Sequence, residues 1–139
     1  MSTLTATIEA RELIALTFSS LGNSNTWTTG ATGRTESGET IDPTHREAKR
    51  RCAEGWMSYH ASQRGFSKRT VRDAQRAVQL HLPGVTDRQR ARAMKPAFRL
   101  LAMLPSIPEI NDRLGRQQIR DAFERTLRAL QPIPAPANA

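Results

Sequence analysis

From Ser67 the chain reads Ser67-Lys68-Arg69-Thr70-Val71-Arg72-Asp73-Ala74-Gln75-Arg76-Ala77-Val78-Gln79-Leu80-His81-Leu82, and then meets Pro83-Gly84. Val71, Ala74, Val78 and Leu82 recur at the spacing of one helical face, while Arg69, Arg72 and Arg76 point the other way. Ser67 stands where an N-cap belongs, and Pro83-Gly84 is a strong break. The period predicts a helix, apolar on one side and cationic on the other.

The same grammar extends in both directions. Upstream, Asp42 before Pro43, and Thr44 with Glu47, look like helix starts. They predict a helix from Asp42 to Gly65, with Ala48, Cys52, Trp56 and Tyr59 on one face. Arg46 and Arg50 share another face, flanked by Lys49 and Arg51, and Arg64 closes the helix. Phe66, just past Gly65, is placed to fold back as the apolar contact of a C-terminal cap.

Downstream, Thr86 with Gln89 opens a fourth helix. On it Arg88, Arg92, Lys95 and Arg99 lie within about 60° of one another, and Met94, Ala97, Leu100, Leu101 and Leu104 fill the opposite arc, with Ala91 and Phe98 at its edge. Arg90 falls near the apolar side, where it must snorkel or lie at an end, and Pro96 should kink the helix. Ser106 with Glu109 opens a last helix to about Leu130, with a break at Gly115 and an apolar set of Ile110, Leu114, Ile119, Phe123, Leu127 and Leu130. Glu109–Arg113, Asp112–Arg116, Asp121–Arg125 and Glu124–Arg128 are four apart with the acid first, the favourable order, so that face reads as internally paired. A first helix, residues 4–21, carries Leu4, Ile8, Ala15 and Phe18 at helical spacing, widened by Leu13, Ile14, Leu16 and Leu21.

Residues 22–41 break the pattern with a run of Gly, Ser, Thr and Asn, too long to be a simple connection. Trp27 is its one large side chain. It is a candidate to stack on an exposed base, although a lone Trp more often pins a loop to a core. No Gly-Lys-Ser/Thr follows Gly30 and Gly33, so this is not a phosphate-binding loop. The expected fold is all-α: one domain, residues 1–131, a bundle of about five helices with a long flexible Gly/Ser/Thr-rich loop at 22–41. A Pro/Ala tail follows at 132–139.

Composition narrows the function. Of 139 residues 37% are hydrophobic and 5% aromatic, so the core must be aliphatic. The single cysteine, Cys52, fits a reducing compartment, and no apolar run is long enough to span a membrane. A cytoplasmic protein with no membrane partner is expected. His45, His60, His81 and Cys52 have no paired zinc-site spacing, and no catalytic motif is present. The sequence therefore predicts neither enzyme, metal nor cofactor.

Charge points elsewhere. Residues 43–104 hold 14 of the 21 Lys and Arg against four acids, a local excess of +10 in a chain of net +8. Phosphates are the partner that best offsets such self-repulsion. The candidate contacts are Arg46, Lys49, Arg50, Arg64, Lys68, Arg69, Arg72, Arg76, Arg88, Arg92, Lys95 and Arg99.

The run Ser67 to Val78, after a helix and a Gly-containing turn, resembles the recognition helix of helix-turn-helix DNA-binding regulators. The resemblance implies that Lys68, Arg69, Thr70 and Arg72 reach base edges, in a protein that pairs with copies of itself. In size, charge and helicity the whole chain is similar to the small helical subunits of CRISPR effector complexes. That likeness implies sequence-independent contact with an RNA or DNA backbone, beside other protein subunits of a nucleoprotein assembly. The leading expectation is non-catalytic backbone binding, with the helix-turn-helix regulator as its alternative.

Overall fold

The computed structural model describes residues 8–93 and 104–130. In chain order these form α1 (Ile8–Ser20), a 3-10 turn (Ser24–Thr26), β1 (Gly33–Arg34), β2 (Arg50–Arg51), α2 (Ala53–Arg64), α3 (Lys68–Gln79), α4 (Asp87–Ala93), α5 (Ile107–Leu114) and α6 (Arg116–Ala129). The architecture is the expected all-α one, with β1 and β2 as a small antiparallel pair, Gly33 opposite Arg51 and Arg34 opposite Arg50. Lys95, Arg99, Pro96, Leu4 and the 132–139 tail lie outside the described residues.

Helix α1 packs against α2, α3 and α6. Ala10, Leu13, Ile14, Thr17 and Leu21 face inward, and Ile8, expected in the apolar face, is 88% exposed. Three neighbours fix the inward arc along the Leu13–Thr17 line. Thr17 tolerates burial because its hydroxyl donates to the Leu13 carbonyl at 2.9 Å. Met57, Val78, Leu82, Ile110, Ile119 and Phe123 complete a largely aliphatic core.

Several start and stop signals act as read. Ser67 accepts from the Thr70 N–H at 3.1 Å, and Ser106 from the Glu109 N–H at 3.3 Å. Thr86 and Gln89 form a reciprocal capping box at 2.9 and 3.1 Å. Gly65 has φ +68°, and the Phe66 N–H returns to the Ala61 carbonyl at 2.9 Å. The last helix does break at Gly115, whose φ of +90° divides α5 from α6.

The second helix does not begin at Asp42. The Asp42 carboxylate accepts from the Thr44 N–H at 2.8 Å and from its hydroxyl, a local turn that competes with capping. Arg51 donates to the Pro43 carbonyl at 2.6 Å, and β2 takes the backbone into the ribbon. The helix starts only at Ala53, capped by Cys52, whose Sγ accepts from the Gly55 N–H at 3.3 Å. Arg46, Lys49, Arg50 and Arg51 therefore belong to a loop and a strand, not to a helical face.

The segment from Gly22 to Cys52 lies on the helices and is tied there by Asn111, buried on α5. Its Oδ1 accepts from the Trp27 indole at 2.9 Å and from the Ala53 N–H at 3.0 Å. Its amide nitrogen donates to the Thr28 carbonyl at 3.1 Å and to Asp112 at 2.9 Å. Arg34 holds the loop from inside, donating to the Thr28 hydroxyl and to the Thr29 and Gly38 carbonyls at 3.0–3.1 Å.

Candidate nucleic-acid interface

A short helix α2, a three-residue turn and helix α3 form the unit on which the cationic face rests. Ala61, Thr70, Ala74 and Val78 are buried. Phe66 and Val71 pack against the core from its edge. With that side fixed inward, Lys68, Arg69 and Arg72 are exposed and Arg76 is half-buried on the outer side. Between the two helices runs an open groove of about 450 Å³, lined by Ser58, Ala61, Phe66, Lys68, Val71 and Arg72.

The other sequence candidates scatter. Arg64, at the end of α2, pairs with Glu12 of α1. Arg46 and Lys49 are exposed on the loop before β2, while Arg50 is half-buried in β2. Arg88 and Arg92 are exposed on α4. Trp27 is half-buried against the core, with its indole N–H bonded to Asn111.

Several arginines serve the fold instead of the surface. Arg51 is 5% exposed; its guanidinium carbon lies 4.0 Å from the Tyr59 ring centre and 4.8 Å from that of Trp56. Burial lowers its pKa from the ordinary arginine value. Others satisfy carbonyls at helix ends, which a helix cannot satisfy itself. Arg116 donates to Leu21 at 2.9 Å, Arg11 to Leu130 at 3.1 Å, Arg90 to Leu80 at 3.0 Å and Arg125 to His81 at 2.7 Å.

The pairing expected along the last two helices is correspondingly thin. Glu124–Arg128 forms at 2.9 Å, but Asp121 accepts from Gln117 and Asp112 from the Gly30 N–H. The helix-end carbonyls are better partners for these arginines than exposed, screened carboxylates. No sequence signal marks these roles, because donor and carbonyl lie far apart in the chain.

The chemistry of the remaining polar clusters is limited. His60 Nε2 lies 2.7 Å from the Ser20 hydroxyl and its ring stacks on Trp56 at 5.5 Å. Burial, then Arg51 and Arg64, lower its pKa. Cys52 is buried, and burial raises its thiol pKa, which leaves it a poor nucleophile. Among the described residues no three His, Cys, Asp or Glu side chains come together to hold a metal, and no helix is long and apolar enough to cross a membrane. Compared with known proteins, the chain matches no family model, no curated protein and no solved structure.

Proposed function

We propose that this protein is a DNA-binding protein of the helix-turn-helix kind, with α3 entering the major groove and α2 lying across the backbone. The observation that supports this best is the late start of α2. A helix running from Asp42 would be too long for such a unit. The twelve residues from Ala53 to Arg64, a turn at Gly65 and a capped α3 have its proportions. The first turn and a half of α3 presents Lys68, Arg69 and Arg72, none within 4 Å of an acid among the described residues. A helix, about 10–12 Å across with its side chains, fits a groove about 12 Å wide.

A second reading, sequence-independent backbone binding as a small helical subunit of a nucleoprotein assembly, is favoured by cations outside this unit. Arg46, Lys49, Arg88 and Arg92 are all exposed and suit phosphates better than base edges.

Selection from a random duplex library, followed by competition with single-stranded DNA and RNA at several salt concentrations, separates the readings. The helix-turn-helix reading expects an enriched duplex motif, preferred by about 10³ or more, that Arg72→Gln abolishes. Backbone binding expects no motif and a slope of log K on log salt of about −3.5 to −4.5 for some five phosphates. A flat salt response would remove nucleic acid from consideration.

A further inference from the structure

One acid borders the cationic side of α3. At 100° per residue, Lys68, Arg72, Arg76 and Arg69 span an arc of about 100°, and Asp73 lies about 40° beyond Arg69. The buried residues Thr70, Ala74 and Val78 occupy the opposite side, and Asp73 is half-exposed. Its carboxylate makes no salt bridge among the described residues. Of its cationic neighbours a helical turn away, Arg69 stands in the weaker order for such a pair, with the base N-terminal to the acid, and Arg76, three residues on, stands in the favoured one.

A lone carboxylate on a surface meant only for phosphates opposes binding to every sequence alike. In the major groove it has a use that no cation can fill: the cytosine N4 amino group is a donor, and a carboxylate accepts from it. An arginine beside it has the complementary preference, guanine O6 and N7. Resting on the helix-turn-helix reading above, we infer that Asp73 is a specificity-determining residue, which accepts from cytosine N4 while Arg69 or Arg72 reads a neighbouring guanine. The preferred duplex then carries a cytosine at the position facing Asp73, and Asp73 also lowers affinity for non-cognate DNA.

The test is duplex selection with the wild-type protein and with Asp73→Asn and Asp73→Ala, each checked by thermal melting. The wild type should enrich a motif with one invariant cytosine beside a guanine. Asp73→Asn should exchange that cytosine for adenine, whose N6 and N7 an amide matches. Asp73→Ala should lose the preference at that one position, by roughly 5- to 100-fold. Both variants should bind non-cognate duplex more tightly than the wild type does. If the variants enrich the same motif as the wild type, Asp73 reads no base and this inference fails while the helix-turn-helix reading stands. If the wild type enriches no motif, both fail together.

Discussion

Asn111 uses both lone-pair directions of its oxygen and both amide hydrogens, with no exposure to water. Its partners lie in three places: Trp27 and Thr28 in the loop, Ala53 at the start of α2, and its own neighbour Asp112. Such a side chain has a stabilising role larger than any one bond, because removing it strands several buried groups at once. Asn111→Ala is expected to lower stability by about 3 kcal/mol or more, since each stranded group costs roughly 1–3 kcal/mol. Urea melts would measure it, and Trp27 emission should shift to the red in the native baseline as the loop loosens. Asn111→Asp keeps the acceptor but buries a charge and loses the bond to the Thr28 carbonyl, so it should be no better tolerated.

At the level of elements, the loop and α2 touch where no side chain intervenes. A Cβ built on Gly55 would stand 1.9 Å from the Thr32 carbonyl oxygen. In an isolated helix Gly→Ala is favourable by about 1 kcal/mol. Here Gly55→Ala should reverse that sign, because the loop backbone must move away from the helix. A loss of about 1–3 kcal/mol, of the size seen for overpacked cores, is expected by thermal or urea melting. A stabilised Gly55→Ala protein would show that the loop does not lie on α2. The arginines at helix ends belong to this scale too: Arg11, Arg90, Arg116 and Arg125 each bridge one element to the terminus of another. They are poor candidates for ligand contact, for the same reason that they matter to packing.

Over the whole molecule, the +8 charge divides between cations that hold the fold and cations that face outward. Two histidines are embedded in the first group. Burial lowers the pKa of both His60 and His81, reinforced by Arg51 and Arg64 for the former and by Arg90 and Arg125 for the latter. A histidine whose folded pKa is lowered binds protons more readily in the unfolded chain. The stability it contributes is present above its unfolded value of about 6.5 and is lost as pH falls through the lowered folded value. The melting temperature should therefore drop as pH falls below about 7, and the drop should shrink in a His60→Asn, His81→Asn double variant. Equal pH slopes in the variant and the wild type would place the sensitivity elsewhere, among the carboxylates.

Local signals determined much of this protein. The period of Val71, Ala74, Val78 and Leu82, the caps at Ser67, Thr86 and Ser106, and the breaks at Gly65, Pro83-Gly84 and Gly115 depend on contacts a few residues apart, and each is visible in the order of the chain. They are enough for an all-α class and for the outward cations of α3. Asp42-Pro43 and Thr44 to Glu47 carried equally good local signals and still did not start a helix. The backbone there closes local turns, from the His45 N–H to the Asp42 carbonyl and from the Ala48 N–H to the His45 carbonyl, each at 3.0 Å. Ile41 and Lys49 on either side bond to Gly33 and Arg34 of β1, and Arg51 sits in an aromatic pocket closed by Tyr59 and Trp56. Only the tertiary structure decided where the loop lies, which arginines are spent on helix ends and which are left facing outward. A hydrogen bond between Asn111 and Trp27, or between Arg116 and Leu21, joins residues whose proximity exists only after the chain has folded. Composition counts such arginines with the rest; their hydrogen bonds to distant carbonyls separate them.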